Sequence, residues 1–232
     1  MNKFYLAFLR HGDYQQRSHT PSAWQPLGLN EAGEQQARVA AQKLQAFAEE
    51  NGLNIHRSLQ ASSLLRAWQT LSLIAGQLGG DFVIDSDARL NERSVGSFAN
   101  LTVSEIETAL RQDPRFPPPP DGWKSASDYR LPCPNAESLN QAGQRVADYL
   151  QQRCFELYHR TTKPTLWIVC GHGAAFRHAA RQMGILKTED IPLYSMYHAE
   201  PLFFEYQPDS GFCLQSGQWK RRDKANLSPL ID

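Results

Sequence analysis

The sequence predicts an α/β layered fold with its functional site at the C-terminal edge of a sheet. Two observations carry this. Two short apolar runs, over 3–9 and 166–170, read as buried strands, and each ends in a histidine flanked by glycine: Arg10-His11-Gly12 and Gly171-His172-Gly173. Between them, segments with apolar residues at helical spacing alternate with short strand-like runs, the pattern of an α/β chain.

The first run is apolar and aromatic-rich, as a strand covered on both faces requires. At its end Gly12 is expected to permit a sharp turn and close approach of a ligand to the backbone. Asn30 is a good N-cap, with Glu34 in the first turn. Ala37, Ala40, Ala41, Leu44 and Phe47 then recur at helical spacing, so a helix is expected over about 31–50, stopped by Asn51-Gly52. A short strand over 57–61 follows. Ser62 or Ser63 is expected to cap a second helix through Leu64, Leu65, Trp68, Leu71 and Ile74, ending near Gly79-Gly80; 82–84 is the next strand.

The segment over about 93–136 changes character. Thr102 caps a helix near 102–111. Asp113-Pro114-Arg115-Phe116, the prolines Pro117 to Pro120 and the Pro-, Ser- and Asp-rich stretch to Pro134 read as a long ordered loop or cap. Phe116, Trp123 and Tyr129 are costly to expose, which argues for a cap packed near the site over a solvated linker. Ser138 restarts a helix through Leu139, Ala142, Val146, Leu150 and Phe155. A helix follows Gly173, and 202–206 with 212–215 form a terminal hairpin around Asp209-Ser210-Gly211. The length fits a single domain over 1–232 with the 93–136 segment inserted as a cap.

Lys plus Arg and Asp plus Glu number 24 each, so the formal net charge is zero. No basic surplus points to nucleic acid and no acidic surplus to a solvating tail, while a local positive pocket remains compatible with the balance. Cys133, Cys154, Cys170 and Cys213 show no C-x-x-C spacing. Free thiols, a first segment that already reads as core strand and no apolar stretch near the ~20 residues of a membrane span predict a cytoplasmic protein without a membrane partner.

Parallel strands present their C-terminal ends on one edge, so His11 and His172 are expected to meet across a shared site. Arg10 and Arg66 add two guanidiniums, planar forks suited to phosphate, and Arg66 lies at a helix start, where anions are favoured. Taken singly, these residues have plainer readings. Arg66 pairs with an acid on the helix surface, Glu92 caps the segment behind it, and Glu137 anchors a loop by accepting backbone hydrogen bonds. Arg177 reads as a structural ion-pair partner, and His19, His56, His159 and His178 as solvated or locally bonded. His198 either joins them or returns to the pocket. The i, i+6 spacing of His172 and His178 does not put both on one helix face, which speaks against zinc.

Leu9-Arg10-His11-Gly12, Ser62 with Leu65-Arg66-Ala67-Trp68-Gln69-Thr70, Leu90-Asn91-Glu92-Arg93 with Gly96, Asn135-Ala136-Glu137-Ser138-Leu139, and Val169 with Gly171-His172-Gly173 occur in an order that resembles the histidine phosphatase superfamily, also called the phosphoglycerate-mutase-like family. The resemblance spans about residues 6–182. It implies a three-layer α/β/α sandwich with a mostly parallel central sheet. It also implies that His11 is the nucleophile that becomes phosphohistidine, that Arg10, Arg66 and His172 complete the phosphate pocket, and that Glu92 is the general acid and then the base that activates water. No metal or cofactor is implied. The chemistry agrees: attack needs an unprotonated His11 nitrogen, which nearby guanidiniums favour, and charge on the equatorial oxygens needs fixed cations. Glu137 is expected as the like charge that holds Glu92 partly protonated.

Mutases of the family usually carry a Trp and an Asn soon after Arg-His-Gly, and a Gly-Trp pair before the first helix. This chain has the segment 13–19 and Gln25-Pro26-Leu27-Gly28 instead, with Arg17 where an Asn phosphate ligand is common, Asn100 where Gly is frequent, and no adjacent Arg-Arg pair in the cap. Arg17 is therefore expected to bind a substrate anion or to alter the pocket's preference. The departures favour a metal-independent phosphomonoester hydrolase acting on a phosphorylated small molecule or a phosphoprotein. The alternatives are a cofactor-primed phosphoglycerate mutase and a non-catalytic phosphate-binding protein, the latter having no need of both acid and nucleophile. Trp123, Tyr129, Arg115 and Lys124 are candidate substrate contacts under the cap.

Overall fold

The computed structural model describes residues 3–222, so the two ends of the expected 1–232 unit lie outside the described residues. In chain order the elements are β1 (Phe4–Arg10), α1 (Glu31–Asn51), β2 (Asn54–Ile55), β3 (Ser58–Ser62), α2 (Leu65–Leu78), β4 (Val83–Asp87), α3 (Val103–Gln112), α4 (Leu139–Arg160), β5 (Thr165–Gly171), α5 (Gly173–Gln182), β6 (Tyr194–Ser195), β7 (Leu202–Gln207), β8 (Gly211–Ser216) and β9 (Lys220–Arg221). The central sheet runs β4-β3-β5-β1-β7-β8, with β2 also paired to β5. Strands β1 to β5 pair in parallel, and β7 and β8 add an antiparallel edge.

Strand alternation builds the layers. Phe4, Leu6 and Phe8 of β1 and Trp167 and Val169 of β5 face α4 and α5, where Val146, Leu150, Phe176 and Ala179 complete one core. Tyr5, Ala7 and Leu9, with Leu166, Ile168 and Cys170, face α1 and α2 and pack on Ala37, Ala41, Leu44 and Leu71. Both faces of the inner strands are thus covered, as a parallel sheet requires, and the molecule is the three-layer α/β/α sandwich expected. The segment after β4 builds a third, smaller cluster from Val95, Ile106, Leu110, Trp123, Leu131 and Cys133.

Local signals act as read at several ends. Asn30 accepts the Gly33 amide at the start of α1, and Thr102 and Ser138 each head a reciprocal capping box. The start of α2 differs. Its N-cap is Leu64, with no side-chain cap, because Asn91 Oδ1 accepts the Ser62 hydroxyl, the Ser63 amide and the Ser63 hydroxyl. Gly12 also acts otherwise than expected. Its requirement is close packing: a Cβ there would lie 2.5 Å from the Gly33 carbonyl oxygen, and one on Gly33 would lie 1.8 Å from the Asp13 oxygen. The loop leaving β1 therefore rests directly on the first turn of α1. The four cysteines are unpaired, with Cys213 alone exposed. Among the described residues, no helix is long and apolar enough to cross a membrane.

Candidate active site

The β1–β5 register pairs Arg10 with Gly171, so His11 and His172 leave adjacent parallel strands at the same height. The His11 amide donates to the Gly171 carbonyl at 3.0 Å, and the two imidazole centroids are 5.0 Å apart. Both rings are buried.

Their partners assign their protons. His11 Nδ1 lies 2.7 Å from the Gly12 carbonyl, which only accepts, so Nδ1 carries the hydrogen. Arg66 Nε donates to His11 Nε2 at 3.1 Å, so Nε2 holds the lone pair. Arg66 Nη2 donates to His172 Nδ1 at 3.2 Å. The His172 proton is therefore on Nε2 and is given to the Ser62 hydroxyl at 2.7 Å, which passes its own to Asn91 Oδ1 at 2.8 Å. Burial, then Arg66, lowers both histidines well below their ordinary range; His172 and Arg10 lower His11 further. Both rings are neutral at neutral pH.

Arg66 is wholly buried and its remaining donors go to the Gln25 and Ala23 carbonyls at 3.1 and 2.9 Å. Arg10 donates to the Met196 carbonyl at 3.1 Å, and Gly173 lies close beside it: a Cβ there would come within 3.2 Å of the Arg10 side chain. A cleft opens over His11, lined among others by Arg10, Ser22, Glu92, Arg93 and Lys124. Arg66 and His172, expected as phosphate ligands, do not line it: their hydrogen-bonding groups face His11, Ser62, each other and the 23–25 loop.

Glu92 is buried at the N-terminus of α5. Its Oε1 accepts the Arg93 and Ala175 amides at 2.8 and 3.0 Å, and Oε2 accepts the Ala174 amide at 3.2 Å. Glu137, expected as its like-charge neighbour, is placed otherwise. Both its oxygens are held by Arg145 at 2.8 Å, and it accepts the Ser94 amide at 3.0 Å; it anchors the loop. Arg145 also donates to the Arg89 and Asn91 carbonyls, fixing the chain on which Glu92 sits.

The other expected residues divide. His198 does return to the site: its ring is 5.6 Å from that of His11 and its Nδ1 is 3.4 Å from Asp13 Oδ1. Burial and Arg10 push it down to about 3, against the opposing pull of Asp13. Arg17 does not join it. Its guanidinium is at the surface on the Asn100 carbonyl, 3.1 Å away, because the loop after Asp13 turns it outward. Lys124 reaches the cleft from the cap. Trp123 lies beneath it, donating to Glu107 at 3.2 Å and packing under Arg93, with Tyr129 on its edge. Arg115 is paired with Asp113 at the surface. Arg177 donates to the Tyr194 carbonyl at 3.0 Å. His178 is buried between the Ala174 carbonyl and the Ser127 hydroxyl. Tyr14, Ser62, Asn91 and Arg145 were not expected at the site; only the position of Ser62 and Asn91 inside matched motifs pointed to them. No group of three or more His, Cys, Asp or Glu among the described residues is placed to hold a metal.

Comparison with known proteins gives the family and the fold. The histidine phosphatase superfamily (branch 1) matches residues 6–217. A 2,3-bisphosphoglycerate-dependent phosphoglycerate mutase of Parvibaculum lavamentivorans is 26% identical over 208 residues, covering 89% of this chain and 92% of that protein. One of Methylobacterium sp. is 27% identical over 88% of this chain and 92% of its own. Among solved structures, a mycobacterial glucosyl-3-phosphoglycerate phosphatase superposes with a TM-score of 0.65 at 19% identity, covering 91% of this chain and 96% of its own. Bacillus stearothermophilus YhfR gives 0.67 at 20% identity, covering 91% and 95%.

Proposed function

The chain belongs to the histidine phosphatase superfamily, and we propose that within it the protein is a phosphomonoester hydrolase that works through phosphohistidine at His11. The observation that supports this best is the proton assignment. The Gly12 carbonyl takes the Nδ1 hydrogen and leaves Nε2 with a lone pair, held by Arg66 Nε–H, on a ring that lines a cleft shared with Glu92.

In the first step Nε2 attacks phosphorus, the ester P–O bond breaks, and the leaving oxygen takes a proton from Glu92. Arg66 Nε–H rests on the same lone pair, so the entering phosphoryl oxygens must accept that donor in exchange. Arg10, Arg93 and Lys124, which line the same cleft, supply further positive charge. In the second step water attacks phosphorus, gives its proton to the Glu92 carboxylate, and the N–P electrons return to Nε2 as phosphate leaves. The charge needed is supplied by side chains and asks for no metal. The chain's departures from the mutase pattern and the outward turn of Arg17 favour hydrolysis over isomerisation, on a phosphorylated small molecule or a phosphoprotein.

Quenching the enzyme with a labelled phosphomonoester is expected to leave label on the wild type and none on His11→Ala, with kcat/KM lowered by about 10³ or more. Undiminished labelling and turnover in His11→Ala would overturn the reading. A second reading is favoured by the names of the relatives: a mutase. It predicts isomerisation of 3-phosphoglycerate stimulated by 2,3-bisphosphoglycerate, and absence of that activity rejects it.

A further inference from the structure

Tyr14 is 3% exposed, yet it belongs to none of the three hydrophobic clusters of the described residues. A buried tyrosine ordinarily lends its ring to the apolar core and leads its hydroxyl to a partner. Here the ring lies against two polar groups of the site. It meets the His11 imidazole edge-on, with 5.2 Å between centroids and 89° between planes. The Arg66 guanidinium carbon lies 4.6 Å from the ring centroid, a cation–π contact. The hydroxyl is hydrogen-bonded to Ser22 Oγ at 3.0 Å, and Ser22 lines the cleft. The backbone is held as well: Tyr14 bridges to Leu29 and its amide donates to Asp13 Oδ1 at 3.0 Å.

We propose that Tyr14 is a positioning residue of this site, its ring setting His11 and Arg66 together and its hydroxyl fixing Ser22 at the cleft wall. The inference deepens, and rests on, the reading of His11 as the phosphoryl acceptor. The in-plane orientation of His11 is held at Nδ1 by the Gly12 carbonyl and at Nε2 by Arg66. Neither contact covers the rest of the imidazole or of the guanidinium, and Tyr14 packs against both. Without the ring, water reaches Nε2 and Arg66 loses one of the surfaces that hold it. The groups facing His11 are Arg10 from β1, Arg66 from α2, His172 beyond β5 and His198 from the loop before β7, with Glu92 in the same cleft. Burial is the largest influence on His11, so opening this wall moves its titration upward.

Two substitutions separate ring from hydroxyl. Tyr14→Phe keeps the ring and is expected to hold kcat within about threefold while raising KM several-fold, since only Ser22 is released. Tyr14→Leu is expected to lower kcat by about tenfold or more and to move the acid limb of kcat/KM upward. NMR titration of the His11 imidazole in the unliganded proteins needs no substrate and checks the same ring. An upward shift in Tyr14→Leu, absent in Tyr14→Phe, supports the proposal even if no phosphomonoester is turned over, so its outcome is distinct from failure of the hydrolase reading. An unmoved His11 titration with unmoved kcat in a folded Tyr14→Leu protein overturns it. Should Tyr14→Leu not fold, Tyr14→Phe decides: raised KM with retained kcat supports the proposal, and unchanged KM overturns it.

Discussion

At the scale of single residues, the site is a chain of proton assignments. Arg66 only donates, so it forces His11 Nε2 and His172 Nδ1 to be acceptors, and one guanidinium fixes both tautomers. Among the described residues, Glu92 is the one carboxylic residue lining the cleft, which defines its test. Glu92→Gln keeps the size of the side chain and its carbonyl acceptor but removes the proton donor. Turnover of nitrophenyl phosphate, whose leaving group needs little protonation, is expected to fall less than about tenfold, and that of alkyl phosphates by about 10²–10⁴. Equal losses on both substrates, measured as kcat, would remove Glu92 from the acid role. Glu137, by contrast, acts through Arg145. Because the pair is largely buried, only about one-fifth exposed on each side, Glu137→Gln is expected to cost about 1–3 kcal/mol of stability, seen as a fall in Tm, with leaving-group dependence unchanged.

At the scale of elements, what was legible in the chain is what lies within a few residues of itself. The apolar run of β1, the helical spacing in α1 and α4, and the caps at Asn30, Thr102 and Ser138 are local, and the structure carries them. The two-residue strands β2, β6 and β9 have too few side chains to show a period. β4 extends to Asp87 because its polar residues pair with β3 through backbone, which no side-chain pattern reports. The same limit governs the site. His11, His172, Arg10 and Arg66 follow from strand ends and a helix start, but the Asn91–Ser62–His172 relay joins residues 29 and 110 positions apart. The serines before α2 read as caps because their pull toward Asn91 is tertiary. Asn91→Ala therefore tests that connection. It leaves the Ser63 amide and both serine hydroxyls without their common acceptor, at a cost of about 1–3 kcal/mol, and it frees the group that orients His172. A lowered Tm together with a kcat loss of about tenfold is expected; a stability loss with unchanged kcat would make the relay purely structural.

At the scale of the whole molecule, the buried His11, His172 and His178 and the half-buried His198, all held neutral, make the fold sensitive to acid. His178 is pushed down to about 4, by burial first and then by Arg177. His198 is pushed down to about 3, and His11 and His172 well below their ordinary value. Unfolded histidines take up protons below about pH 6.5, whereas these do not until the pH reaches their folded values. Between those limits the unfolded chain binds more protons, so stability is full above about 6.5 and falls as the pH drops. For His178 alone the loss at pH 5 is roughly 2 kcal/mol, and in a chain of this size each kcal/mol moves Tm by about 2–4 °C. The lowered carboxylates Asp87 and Asp113 withdraw stability in the same direction, but only as the pH falls below about 4, the range where unfolded carboxyl groups protonate. A decline that begins between pH 7 and 5 therefore belongs to the histidines. Calorimetry is expected to show Tm falling by several degrees over that interval. In His178→Gln the fall should be smaller, although Tm at pH 7 is itself lower because the bonds to Ala174 and Ser127 are disturbed. A Tm that is flat from pH 7 to 5 in the wild type would mean that these rings take up protons as readily as the unfolded chain, so that the neutral His11 needed for attack at phosphorus would be lost progressively below about pH 6.5.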